Sequence, residues 1–378
     1  MTAMAFVIDA SPLLAASKCP VDPAAFEQDL DVQPPGAAAL HSISLRDAMR
    51  VLPVPSFSIA LIVGDRVALA KAYGDATPDT LYQAASLSKI VTAVAALRLV
   101  QESKLNLDQD INDELISWKL PQSDLTTGHP VTLRGLLTMT AGIGVPGYGG
   151  YERGSPSPTT VQILEGEAPA TSPPVRVETV PGTAYAYSGG GYQIVQKLIE
   201  DATRQSFADA VRSLVLAPAG MTRSVYELPG ALAPKGVAEG HSKNGQALPG
   251  GWRQVPELAA GGLWSNPTDL AHLLISLSRS YQGKEKGILS RPIARSMMTR
   301  NAIGPYGLGA AIEGAGPDVA LMKRGQNVGY QAYMLIFPET GDGLVVMTGS
   351  DNGTALETAF IRRAAQVCNW PALATLPD

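Results

Sequence analysis

The sequence predicts an α/β protein in which one antiparallel sheet is flanked by an N-terminal and a C-terminal helix and interrupted by a mainly helical insertion. Two β-rich runs meet at Gly64-Asp65 within SFSIALIVGDRVALAKAYG. Further β-rich runs fill residues 306–350, and the chain between them follows helical periods broken by Pro/Gly-rich loops.

Taken in order, residues 1–40 are rich in Ala, Pro and Asp without a period and read as an irregular N-terminal segment. SLRDAMRVL (44–52) is a short amphipathic helix. The run at 56–74 reads as a hairpin, and Gly64 in the first central position suits a type II′ turn. Leu87, Ile90, Val91, Val94 and Leu97 recur at three- and four-residue spacing, which predicts a helix over 86–101. Ala93 and Ala96 on its other side predict that most of it is buried. LRGLLTM, GYQIVQKLIEDAT and FADAVRSLVLAPAG are further helices. The punctuated stretches 142–158 and 167–183 are long loops, expected to line a pocket. Ser265 or Asn266 caps a helix that has Pro267 in its first turn. YGLGAAIEGAG, DVALMKRG and GYQAYMLIFPETGDGLVVMTGS are strands and hairpins, and TALETAFIRRAAQVCNW is a closing helix. The expected organisation is a sheet lobe (41–80 and 240–378) and a helical lobe (81–239), with a ligand cleft between them.

The 378 residues suffice for two packed units, and 45% hydrophobic with 17% charged residues is the balance of a globular enzyme. A net charge of -5 with no basic run argues against nucleic acid or an anionic membrane surface as partner. No stretch reaches the roughly 18 apolar residues of a membrane span. The opening MTAMAFVIDASPLLAAS lacks a positive n-region, and Asp9 interrupts its apolar part, so it does not read as an intact signal peptide and a cytoplasmic location is favoured. Cys19 and Cys368 neither imply nor exclude a bridge, and free, inert thiols are the simpler expectation.

The chemistry centres on AASLSKIVTAV. Ser86 and Lys89 stand at i and i+3, a turn apart on one helical face. Ser86 falls where an extended run gives way to a helix, so free backbone N–H groups and the helix dipole favour a developing alkoxide and oxyanion. The same positive end and an apolar setting disfavour a protonated Lys89, which equips the lysine to accept the serine proton.

LYQAASLSK resembles the nucleophile motif of class C β-lactamases, D-alanyl peptidases and family VIII carboxylesterases. ESKLNLDQDI, LLTMTAGI, PGTAYAYSGGGY, PAGMTRS, AAGGLWSNPTDLA and PETGDGLVVMTGSDNG resemble further blocks of the same superfamily, in its chain order. The resemblance covers about residues 40–370 and implies the serine β-lactamase/DD-peptidase fold. It places the second motif, Tyr-x-Asn, on Tyr187-Ser188-Gly189, with Tyr187 beside Ser86 and Lys89 as a proton shuttle. Gly189 departs from the pattern, because it lacks the side-chain amide offered to substrate and lysine. The third motif falls on Lys323-Arg324-Gly325. Lys323 holds a substrate carboxylate or polarises the Tyr187 hydroxyl. Gly325 lets substrate lie against the strand edge, and the backbone N–H groups of Gln326 and Ser86 form the oxyanion hole. Arg324 replaces a small hydroxyl residue, and either enters the pocket to select an anionic substrate or points to solvent.

Other signals carry no chemistry. GHSKN (240–244) lacks the last glycine of a nucleophile elbow and lies in a polar loop. Ser350-Asp351-Asn352 comes after the Lys323 motif and reads as a turn. His41, His129, His241 and His272 show no ligand spacing, so neither a metal nor another cofactor is expected. The implied activity is hydrolysis of a small ester, amide or β-lactam through a Ser86 acyl-enzyme. Ester hydrolysis comes first, since Gly189 and Arg324 both depart from the lactamase pattern. Transacylation, D-amino-acid peptidase or β-lactamase activity on the same site is an alternative, and a non-turnover penicillin-binding sensor is another.

Overall fold

The computed structural model describes residues 19–33, 39–227 and 236–371. The beginning of the chain departs from the expectation of an irregular segment. A 3-10 turn at Pro23–Ala25 is followed by β1 (Leu30–Val32), which pairs antiparallel with β2 (His41–Ile43). Leu30 and Val32 are buried in one apolar cluster with Leu356 and Phe360 of the last helix, so tertiary packing orders a segment with no period of its own. Residues 1–18, including the opening stretch weighed above, lie outside the described residues.

Helix α1 (Leu45–Val51) starts at Ser44, whose hydroxyl accepts a hydrogen bond from the Asp47 N–H. The predicted hairpin forms between β3 (Ser56–Ile62) and β4 (Val67–Gly74). Its turn is of the I′ kind, not II′, because Gly64 and Asp65 both take positive φ, +55° and +60°. The Asp65 carboxylate is tied on both sides, by Ser278 Oγ at 2.6 Å and Lys284 Nζ at 2.9 Å, which holds that residue in the left-handed region.

The next elements surround the site. Strand β5 (Tyr82–Gln83) pairs with the later β6 (Trp264–Ser265). Helix α2 (Ser88–Gln101) follows a 3-10 turn at Ala85–Leu87, and α3 (Gly189–Thr203) is capped by Ser188. Helix α4 (Pro267–Gln282) has Asn266 as its cap, accepting from the Asp269 N–H at 2.8 Å, with Pro267 in its first turn as expected. Three strands and a short edge strand complete the sheet: β7 (Ala311–Glu313), β8 (Ala320–Asn327), β9 (Tyr330–Phe337) and β10 (Asp342–Thr348). Helix α5 (Gly353–Cys368) ends the fold.

The main sheet has six strands in the order β4-β3-β10-β9-β8-β7, all antiparallel, so β3 and β10 from opposite ends of the chain lie side by side. Strict alternation sorts the side chains. Phe57, Ile59, Leu61, Tyr333, Leu335 and Val346 pack beneath α1 and α5, while Ala60, Ile62, Met334, Ile336 and Val345 face the other way. That second face is covered by α4 through Leu270, Leu273, Leu274 and Leu277, each fully buried and contributing about 1.5–3 kcal/mol. Cys19 and Cys368 form a disulfide, which corrects the expectation of free thiols. Packing of the N-terminal segment against α5 brings together two residues separated by 349 positions.

Candidate active site

Ser86 sits in the 3-10 turn that leads into α2. Ala85, just before it, takes φ +49°, a conformation that costs an alanine on the order of 1–3 kcal/mol. Neighbouring bonds hold the turn. Ala84 N–H donates to Leu263 O at 2.8 Å, and Ser88 Oγ donates to Ala85 O at 2.6 Å while accepting from Leu263 N–H. The turn is thereby pinned to the segment ahead of β6, and the Ser86 hydroxyl projects into a pocket of about 330 Å³.

Two of the expected side chains meet that hydroxyl, and a third stands behind one of them. Lys89 Nζ donates to Ser86 Oγ at 3.0 Å and to Ala260 O at 2.8 Å. Tyr187 OH donates to Ser86 Oγ at 2.8 Å, and Lys323 Nζ donates to Tyr187 OH at 3.2 Å and to Tyr306 OH at 2.9 Å. Both lysines are buried. Burial lowers the Lys89 pKa; Tyr187 opposes this shift and Lys323 adds to it. Burial works against ionisation of Tyr187, yet Lys323, followed by Lys89, overcomes it and brings the phenol down to about 7. Burial likewise works against the charge of Lys323, and Tyr187 and Tyr306 outweigh it, so its pKa is raised. The arrangement is a hydroxyl flanked by a weakened ammonium and an acidified phenol, with a firmly protonated lysine behind the phenol.

The remaining expected residues fare differently. Gln326 lines the same pocket as Ser86. A Cβ on Gly325 would lie 2.5 Å from Ala84 O and 3.1 Å from Ser86 N, so this glycine lets β8 approach the serine turn. Arg324 borders the pocket, but its guanidinium lies on the opposite face of the sheet, where Nη2 donates to Thr358 Oγ1 at 3.3 Å and the group stands 5.8 Å from the Tyr333 ring. It neither enters the pocket nor points to solvent, because alternation along β8 sends Lys323 and Arg324 to opposite faces. Gly189 does not line the pocket. A Cβ there would meet Tyr148 Cε2 at 3.1 Å, so the ring of Tyr148 takes the space that a side chain at 189 would need.

Of the two expected pocket loops, 142–158 contributes Pro146, Gly147 and Tyr148, whereas 167–183 contributes nothing. The second loop instead braces the first, through Gly144 N–H to Arg176 O and Glu178 N–H to Gly142 O. Tyr148, Glu257 and Tyr306 were not foreseen from the sequence. A buried acid in the apolar stretch VPELAAGG was the one available sign for Glu257. A larger crevice of about 980 Å³ lies beside Glu27, Met49 and Tyr73 and holds none of these residues. Ser242 is engaged within its own polar turn, and Ser350 Oγ donates to Pro53 O. Among the described residues, no three His, Cys, Asp or Glu side chains gather where a metal ion could bind.

The model of the Beta-lactamase family matches residues 45–368, which span the serine turn, Tyr187 and β8. The chain belongs to the Beta-lactamase family. Within this family of serine hydrolases, Protein flp of Staphylococcus aureus (strain N315) is 27% identical over 194 residues, covering 46% of this chain and 35% of that protein. The chain thus spans about a third of the length of the curated relatives it matches. The octameric penicillin-binding protein homologue from Pyrococcus abyssi superposes with a TM-score of 0.70 at 25% identity, over 86% of this chain and 76% of that one. A D-stereospecific amidohydrolase from Streptomyces sp. shares the fold, with a TM-score of 0.68 at 21% identity over 89% and 98% of the two chains. No helix among the described residues is long and apolar enough to cross a membrane.

Proposed function

We propose that this family member hydrolyses carboxylic esters through an acyl-enzyme on Ser86. The observation that carries the reading is the placement of Ser86 Oγ between Lys89 Nζ and Tyr187 OH, at 3.0 and 2.8 Å, with Lys323 behind the phenol. Tyr187 as phenolate, aided by Lys89, takes the Ser86 proton as Oγ bonds to the ester carbonyl carbon. The carbonyl oxygen becomes an oxyanion held by the backbone N–H groups of Ser86 and Gln326. When the carbonyl re-forms, the bond to the alkoxy group breaks, and Tyr187 returns the proton to release the alcohol. Water then attacks the acyl carbon and gives its proton to Tyr187. The acyl–Oγ bond breaks, and Ser86 regains its hydrogen as the carboxylic acid leaves.

The absence of a side-chain amide at Gly189, with Tyr148 in its place, supports esters over β-lactams. Arg324 no longer bears on the choice, since its guanidinium lies outside the pocket. The reading includes the lobe division expected from the sequence: Ser86, Tyr148 and Tyr187 line the pocket from 81–239, and Glu257, Lys323 and Gln326 from 240–378. It also includes an oxidising compartment in place of the cytoplasm, supported by the Cys19–Cys368 bridge. Two free thiols in unreduced, denatured protein would remove that support.

The test combines intact-protein mass spectrometry with steady-state rates on p-nitrophenyl butyrate and a chromogenic cephalosporin. Ester turnover and a transient butyryl adduct, both lost in Ser86→Ala, are expected. Full activity in Ser86→Ala overturns the assignment. Faster turnover of the cephalosporin restores the lactamase, and a stable adduct without turnover marks a sensor.

A further inference from the structure

The pocket has a second polar end that the acyl-enzyme chemistry leaves unused. Glu257 lies on the turn before the short helix Leu258–Gly261, whose Ala260 carbonyl receives Lys89, and it lines the same pocket as Ser86. It is 1% exposed, and neither carboxylate oxygen has a hydrogen-bond partner. Burial pushes the Glu257 carboxyl up to about 7, and its own backbone N–H and the Tyr151 hydroxyl oppose that shift as nearby donors, though neither makes a full hydrogen bond to it. No Lys or Arg forms an ion pair with Glu257 among the described residues. Tyr148, across the pocket wall, is half-buried, and its buried hydroxyl likewise lacks a partner. The two groups sense each other, since Glu257 adds to the upward shift that burial imposes on the Tyr148 phenol.

Buried carboxylates are normally paired or hydrogen-bonded, because stripping water from an ionised group is costly. Two unpartnered oxygens and an unpartnered hydroxyl on one small pocket therefore describe a receptor for a donor the protein itself lacks. The lysines at the other end hold their partners already. A compact cation with several N–H donors answers both vacant groups, and it must sit on the same molecule that presents its carbonyl to Ser86.

Resting on the hydrolase reading above, we infer that the substrate carries a protonated primary amine near the scissile carbonyl, and that Glu257, assisted by the Tyr148 hydroxyl, binds this ammonium. The substrate class is thereby narrowed from esters in general to aminoacyl-type esters. Glu257 is a specificity-determining residue and does not take part in bond making or breaking.

The experiment uses two benzyl esters of near-equal shape, of alanine (both enantiomers) and of isobutyric acid, in which a methyl group replaces the ammonium. Binding to the Ser86→Ala protein is measured by calorimetry at a pH above about 7, where Glu257 is ionised, and below the pKa of the alanine amine. At least one alanine ester is expected to bind about 10- to 100-fold more tightly than the isobutyrate, the range for hydrogen bonds to a charged group. Glu257→Gln in the same background removes that preference and leaves isobutyrate binding within about twofold, while Glu257→Asp retains part of it. Equal affinity for the two esters in the parent protein, or a preference that survives Glu257→Gln, overturns the inference. Because binding is read without turnover, the serine assignment is judged separately, by acylation of the wild-type protein.

Discussion

The two faces of the main sheet both bury ionisable groups, and the two lysines of one are held in the opposite way to the glutamate of the other. On the cleft side, the Lys89 and Lys323 ammonium groups, whose residues are 2% and 5% exposed, each hold two hydrogen bonds. Three of those four bonds end on Ser86, Tyr187 or Tyr306. On the side beneath α5, Glu357 is fully buried, both its oxygens are unpartnered, and Arg324 Nε is unpartnered too. Arg324 lowers the Glu357 pKa without pairing with it, and burial dominates, leaving the carboxyl at about 8. Burial of ionisable groups is common to both faces. What separates them is convergence: Lys89, Tyr187 and Lys323 form one hydrogen-bonded chain that ends on a reactive hydroxyl, whereas Glu357 has no hydrogen-bond partner.

The comparison breaks first at Tyr187. Tyr187→Phe keeps the ring and removes the hydroxyl that joins Ser86 to Lys323, so kcat/KM for the ester should fall about 10²- to 10⁴-fold with little change in thermal stability. Steady-state kinetics alongside melting curves would show it; a decrease below tenfold would remove Tyr187 from the proton path.

A smaller effect distinguishes the lysines. With Tyr187 as base, kcat/KM should rise with pH through about 7 as the phenol ionises. Lys323 lowers the phenol pKa more than Lys89 does, so Lys323→Met should move the rising limb to higher pH. A profile unmoved by that substitution would detach the limb from Tyr187.

The smallest effect belongs to the other face. Glu357 has a folded pKa raised from 4.5 to about 8, so the folded state holds its proton longer than the unfolded chain. Stability is therefore lost as pH rises from about 4.5 through about 8. Glu357→Gln should remove that loss and stabilise the protein at alkaline pH, by an amount on the order of 1 kcal/mol or more, while ester kinetics stay as in wild type. Denaturant unfolding at acid and alkaline pH measures the difference, and equal stability of the two proteins at alkaline pH would refute the account.

Much of this was legible because it is local. The three- and four-residue spacing after Ser86 predicted a buried α2 with Lys89 one turn from the serine, and both are present. The β-rich runs SFSIALIV and QAYMLIF predicted strands, and Ser265 or Asn266 ahead of Pro267 predicted the start of α4. Local signals failed where a distant contact decided. Gly64 alone suggested a II′ turn, but the bonds from Ser278 and Lys284 hold Asp65 at positive φ as well. Arg324 looked free to enter the cleft until strand register assigned the cleft to Lys323. Gly189 could be read as a missing amide, but not as the space taken by Tyr148, which comes from a loop some 40 residues earlier.

The sequence by itself determined the element types wherever a period exists, which leaves out the N-terminal segment, together with the Ser86–Lys89 spacing and the resemblance that pointed to Tyr187 and Lys323, because periodicity and short motifs depend only on neighbours along the chain. The tertiary structure decided which side of β8 faces the pocket, which loop fills the place beside Gly189, that Glu257 is left without a partner inside the pocket, and that Cys19 meets Cys368. Each of these depends on where separately folded segments come together, and no spacing within one segment encodes that.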